Sequence, residues 1–261
     1  MRSLPILFKT TGLSVLAGLA SCLIWNCENA QAEPLQARIE HTERMPSVEP
    51  VLKPGAIFNL SADEAADDVW VKVPDWLAGT WSIRRETTVY HQNFRTGDES
   101  YARRDFDAHT TFTYAQQRDR EGGYWHYLGT PYTSQTELST FTEYHKVAEK
   151  ELVESDPTKA VVRTRVTVIR TDKETSKITK VFQQESITRY TRMSSDELQL
   201  ISSTKVFDDS GNATDEVQNE ARVHRLSPYS EIDFVGDKNY KAMFVHFLVT
   251  HELANLVPDQ L

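Results

Sequence analysis

Pro74-Asp75-Trp76-Leu77-Ala78-Gly79-Thr80-Trp81 opens a run of segments with a two-residue apolar period that lasts to about Leu226. Trp81, Ile83, Thr87 and Val89 share one face of a first strand, and Phe106, Ala108, Thr110, Phe112 and Tyr114 share one face of the next. Glu121-Gly122-Gly123 is a hairpin signal leading into Tyr124–Leu128. A long strand is predicted over Tyr132–Val147, followed by strands over Ala160–Arg170, Ile178–Tyr190, Leu198–Phe207 and Val217–Leu226, divided by polar turns. About eight strands on short connections predict an all-β fold, an up-and-down antiparallel β-barrel in which sequence neighbours pair in space. A closed barrel of that size holds side chains or one small ligand.

The flanks differ in character. Residues 1–32 read as an export signal: Arg2 and Lys9 are basic, Gly12–Trp25 is uncharged and apolar, and Ala30-Gln31-Ala32 is a small-x-small cleavage site. The apolar stretch is too short for a membrane span, which needs about 20 residues. Leu19-Ala20-Ser21-Cys22 also matches a lipobox, so acylation at Cys22 stays open as an alternative to cleavage after Ala32. Either route predicts an exported protein, periplasmic or extracellular. Residues 33–57, with Pro34, Pro46, Pro50 and Pro54 and no clear periodicity, read as a flexible linker, and residues 58–261 as the folded domain. Ser61 and Glu64 have the spacing of a capping box for a short helix. Near the C-terminus a helix capped by Asp237 is expected through Lys238–Leu256, although the alternation of Met243, Val245, Phe247 and Val249 leaves a ninth strand open.

Composition narrows the function. Both cysteines, Cys22 and Cys27, fall in the leader, so the processed domain carries no disulfide or thiol nucleophile. Loss of Arg2, Lys9 and Glu28 takes 29 basic and 38 acidic residues to 27 and 37, a formal charge of −10. That balance disfavours nucleic acid and anionic lipid as partners. No nucleophile elbow, Walker-type glycine loop or HExxH is present, and no cofactor or metal is expected; His246 and His251 are spaced wrongly for one metal on a helix. His109, His126 and His145 recur on successive predicted strands and meet only if their registers match.

Two faces carry many hydroxyls: Ser134, Thr136, Leu138, Thr140, Thr142 and Tyr144 on one strand, and Phe182, Gln184, Ser186, Thr188 and Tyr190 on another. An unpaired hydroxyl in a filled core costs about 1–3 kcal/mol, so these faces meet water or line a hydrated cavity. On the cavity reading, face parity selects Phe112, Tyr114, His126, Thr140, Val166, Phe182 and Leu200 as ligand-binding residues.

The Gly79-Thr80-Trp81 motif after a short turn, at the head of such a run, resembles the start of a calycin, the superfamily of lipocalins and fatty-acid-binding proteins. The resemblance implies a structural role for Gly79 and Trp81, an arginine near the last strand packed on Trp81 (Arg225, with Arg222 the alternative), and a helix laid on the barrel. A Thr-Asp-Tyr-type turn has no counterpart; Asp208-Asp209 occupies a turn of similar position. The expected function is an exported, lipocalin-like protein binding a small, largely apolar ligand. The alternatives are an envelope-interaction module docking through Phe244, Phe247 and Leu248, and a cavity isomerase or lyase using His126 or Tyr114 as acid or base.

Overall fold

The computed structural model describes residues 40–60 and 67–259; the export signal with Cys22 and the Ser61/Glu64 capping box lie outside them. The fold is mostly strand, every pairing is antiparallel, and one α-helix stands near the C-terminus. In chain order the strands are β1 (Trp70–Val73), β2 (Gly79–Asn93), β3 (Glu99–Ser100), β4 (Arg104–Tyr114), β5 (Gln117–Arg118), β6 (Tyr124–Tyr127), β7 (Tyr132–Glu137) and β8 (Phe141–Ser155). There follow β9 (Lys159–Asp172), β10 (Ile178–Arg192), β11 (Glu197–Phe207), β12 (Ala213–Pro228), β13 (Phe234–Val235), β14 (Lys238–Asn239) and the helix α1 (Tyr240–Thr250). No helix among the described residues is long and apolar enough to cross a membrane.

The large sheet runs β4-β2-β12-β11-β10-β9-β8-β7, with β3 beside β4 on the outer side of β2. The first long strand therefore pairs with both its successor and the last strand, as in an up-and-down barrel. Among the described residues, however, β4 and β7 share no ladder, so the sheet does not close. It coils far enough that Phe112 and Tyr114 of β4 pack on Tyr190 of β10, with ring centroids 5.7 and 5.5 Å apart.

The closure fails because the segment read as a third barrel strand goes elsewhere. Tyr124–Tyr127 pairs with Trp70–Val73 and Gln117–Arg118 in a separate three-stranded sheet. Its alternate side chains serve two masters: Trp125 and Tyr127 pack with Trp70 beneath Phe244, Phe247 and Leu248 of α1, while His126 turns toward Tyr114 of the large sheet. The helix thus covers the small sheet, and its three apolar anchors are buried rather than offered as a docking surface. Asn239, not Asp237, caps it by accepting the Ala242 N–H at 2.9 Å, because Gly236-Asp237 is consumed as the turn between β13 and β14. The predicted strand Tyr132–Val147 is a hairpin; Leu138 donates to the Phe141 carbonyl at 3.0 Å and the chain reverses through Ser139-Thr140. A turn of ordinary residues carries no glycine or proline to mark it.

The base of the coiled sheet is shut by Trp81. Its indole N–H donates to the Leu77 carbonyl at 2.8 Å, and the Arg225 guanidinium lies over its ring at 4.1 Å. Arg225 is held there by the carbonyls of Ala78 (2.6 Å), Trp76 (2.9 Å) and Ser195 (2.8 Å). Gly79, at φ +132°, admits this approach: a Cβ there would meet the Arg225 Nη1 at 2.6 Å and the Ser227 carbonyl at 2.8 Å.

The convex face also departs from expectation. From residue 40 onward, the segment read as a linker is strapped to the sheet. Met45 and Val48 donate to the carbonyls of Gly211 and Asp209, and Phe58 to that of Ser176. Val48, Leu52, Ala56 and Phe58 cover the outward-facing Ile169, Ile178 and Val181, apolar residues that an uncovered sheet would leave in water. At the upstream end Glu185, fully buried, accepts from the Thr42 N–H (2.7 Å), the Thr42 hydroxyl (2.9 Å), Arg165 Nε (2.9 Å) and His41 Nδ1 (3.0 Å). Burial pushes its carboxyl up, but these donors outweigh burial and hold it at about 2.

Two outcomes follow from this architecture. Trp81→Ala is expected to lower the urea midpoint by the equivalent of about 3–5 kcal/mol with an unchanged slope. Because the folded Glu185 binds its proton only near pH 2, its contribution is present above its ordinary value of 4.5 and lost as pH falls from there toward 2. Glu185→Gln is therefore expected to blunt the loss of stability between pH 5 and about 2 seen by urea unfolding, and to open residues 40–58 to proteolysis at neutral pH.

Candidate functional site

The register of the large sheet arranges its concave face in layers. At the base, Trp81, Ile83, Phe112, Leu198 and Val223 form an apolar floor. Above them lie Tyr190, Leu200 and Ala221 with Glu86, then Val162, Thr188, Ser202 and Asn219, then Lys150, Thr164, Ser186, Thr204 and Val217. A second apolar layer, Val147, Val166, Val168, Phe182 and Val206, closes over this polar belt. The Ser186 and Thr204 hydroxyls bond each other at 2.8 Å, but the buried Gln184 Oε1 and Asn219 Oδ1 have no partner among the described residues. Buried amide oxygens left without donors are costly, and such atoms ask for a donor from water or a ligand.

Bulges decide which side chains reach this face. A register shift between Val147 and Glu149 makes Ala148 the extra residue, so Val147 and Lys150 both point inward while Glu149 turns outward to Arg165 at 2.8 Å. A shift between Ile83 and Arg85 likewise brings Glu86, in place of Thr87, into register with Ala221 and Phe106. Burial raises the Glu86 carboxyl above its ordinary value.

Lys150 crosses the seam between the two edges of the sheet. Its Nζ lies 3.1 Å from His126 Nε2 and 5.7 Å from the Tyr114 ring centroid, on a residue only 7 % exposed, and it makes no ion pair among the described residues. Burial brings its ammonium down to about 8. Gln116 Oε1 accepts both the Tyr127 N–H (2.8 Å) and His126 Nδ1 (3.0 Å). An acceptor at Nδ1 places the imidazole proton there, and leaves the Nε2 lone pair for Lys150. Burial first, and the Lys150 charge second, hold the His126 imidazole well below its ordinary value, so it is neutral. Tyr114 joins the cluster through its ring, and its hydroxyl meets that of Tyr190; burial raises both, Tyr190 to about 12, so both are protonated. The arrangement joins a buried amine to a neutral imidazole acceptor and two phenols.

Of the residues chosen by face parity, Phe112, Tyr114, His126, Val166, Phe182 and Leu200 are buried on the concave side or at its seam. Thr140 is not; it sits exposed in the hairpin turn. Ser134 and Thr136 lie on β7, and the supposed single hydroxyl face of Tyr132–Val147 is divided between two strands. The three recurring histidines do not converge: His109 is exposed, and His145 bonds Glu143 at 2.9 Å. Lys150, Glu86 and Gln116 do not emerge from the sequence: the predicted strand over Tyr132–Val147 stops short of Lys150, simple alternation assigns Glu86 to the wrong face, and Gln116 falls between strands.

A second constellation imitates a hydrolase. Ser203 Oγ lies 2.8 Å from His41 Nε2, whose Nδ1 meets Glu185. The Ser203 hydroxyl, however, donates to Glu216 Oε1 at 2.9 Å, so its single proton is committed away from the imidazole. This chain of groups anchors the strap and does not form an activated nucleophile.

No protein-family model matches the chain, and no curated protein is similar to it in sequence.

The amine has a measurable signature. Unfolded, Lys150 keeps its proton up to about 10.5; folded, only to about 8. Between those values the unfolded state binds the extra proton, so this group makes stability rise with pH across that window. The stability difference between wild type and Lys150→Met is expected to change by about 3 kcal/mol between pH 7 and 11 in chemical denaturation, whereas a constant difference would mean that the amine is solvated.

Proposed function

We propose that the protein is a calycin-like carrier that holds one small, largely apolar ligand against the concave face of its coiled sheet. The observation that carries this reading is the polar belt enclosed between two apolar layers, with Gln184 Oε1 and Asn219 Oδ1 left without donors. An apolar site with a few convergent polar groups is the usual chemistry of a small-molecule pocket. A protein that needed only a core would fill these positions with valine and leucine. The calycin comparison is supported by Arg225 stacked on Trp81 beneath the belt and by β2 pairing with both the next long strand and the last. The exported address rests on the sequence of residues 1–32 alone.

Titration with 1-anilinonaphthalene-8-sulfonate is expected to give a saturable, one-to-one signal that decanol displaces. Ser186→Phe, which fills the belt, is expected to abolish the signal while far-ultraviolet circular dichroism stays unchanged. Absence of a saturable signal from this dye and from Nile red would count against the carrier reading.

A further inference from the structure

We propose that Lys150 captures a carbonyl ligand, an aldehyde or ketone on an apolar chain, as an imine at the concave site, with His126 moving the protons. This rests on the carrier reading above and specifies the ligand's reactive end. A buried lysine in a folded protein is ordinarily neutralised by a carboxylate, since an isolated ammonium in an apolar setting is strongly disfavoured. Here the partners on every element packed against it are a neutral imidazole from β6 and the Tyr114 ring from β4, with Tyr190 of β10 behind that ring. The two acidic neighbours on its own strand are turned away: Glu149 bonds Arg165 and Glu151 lies 3.7 Å from Arg163 on the convex side.

The chemistry balances without any further reagent. His126 Nε2, 3.1 Å away, accepts a proton from the Lys150 ammonium and leaves a free lone pair on nitrogen. That pair forms a C–N bond to the carbonyl carbon as the C=O π pair withdraws to oxygen, which takes the proton back from His126. The nitrogen then carries two protons; one leaves with the hydroxyl as water, and the C=N bond forms as a protonated imine that keeps the other. The fixed Nδ1–H to Gln116 keeps the accepting nitrogen aimed at the amine throughout. With an ammonium at about 8, a useful fraction of the amine is neutral near pH 7, on the order of a hundredfold more than for an ordinary lysine. Thr164, Ser186 and Thr204, on the same row of the sheet, are placed to receive the chain leading away from the carbonyl.

The test is reductive trapping of the wild-type protein with decanal and sodium cyanoborohydride, read by intact mass and peptide mapping. The expected result is one adduct per chain on Lys150, formed ahead of the exposed lysines, absent in Lys150→Arg and slowed about tenfold or more in His126→Gln. Adducts spread over exposed lysines such as Lys53 and Lys173, with Lys150 unmodified, would overturn the proposal. Decanol, which has the chain but no carbonyl, separates the two readings. If decanol displaces the bound dye yet Lys150 is not trapped, the imine proposal falls and the carrier stands; if decanol does not bind, both fall.

Discussion

The two edges of one coiled sheet, β4 and β7, share no ladder among the described residues, and the side-chain contacts that tie β8 to β4 and β6 where a ladder is missing govern the rest of the molecule. Unpaired strand edges are a hazard that folds must cover. Here the three-stranded sheet carrying His126 lies against Tyr114 of β4 and Lys150 of β8, and α1 packs on its other side through Phe244, Phe247 and Leu248. A fully closed barrel would have paired backbone with backbone at this place. Instead side chains bridge it, and the bridge is an amine on an imidazole over a phenol ring. The helix α1 buries Phe244, Phe247 and Leu248 against Trp70 and Trp125 of this insert.

That solution carries an energetic cost which a purely structural seam would avoid. Leucine or methionine at position 150 would pack between Tyr114 and the sheet without a charge to desolvate. The same holds for Glu86, whose carboxyl burial pushes up, and for the orphaned Gln184 and Asn219 oxygens. All four lie on the concave side; on the convex side Glu185 and Arg165 are tightly paired with each other and with the strap, while Arg163 Nε and Arg189 Nε are buried without a hydrogen-bond partner among the described residues. Local departures of this kind are characteristic of binding and catalytic sites.

Much of this was legible in the chain itself, and the exceptions have definite causes. The strands β9 to β12 follow directly from alternation and polar turns, and the floor of the concavity from Gly79, Trp81 and Arg225. The open seam could not be read, since Tyr124–Tyr127 has the same alternation whether it joins a barrel or a separate sheet. The hairpin at Leu138–Phe141 uses residues that a strand also tolerates. The most consequential omission, Lys150, depends on a single extra residue, Ala148, that turns two consecutive expected faces around. Before pairing partners are known, nothing in Val147–Leu152 distinguishes an inward lysine from a solvated one. The strap is not legible in the sequence because prolines remove periodicity whether a segment is loose or pinned by side chains far away in sequence.

The central claim is that the concave face is a site to be occupied rather than a core. Electron density in a high-resolution crystal structure of protein taken unstripped from its own host addresses it most directly. The account predicts continuous density, too long for water, running along Thr164, Ser186 and Thr204 and ending beside Lys150. Side chains that meet across the belt, with Gln184 and Asn219 bonded to each other or to neighbouring groups and no space between, would contradict it.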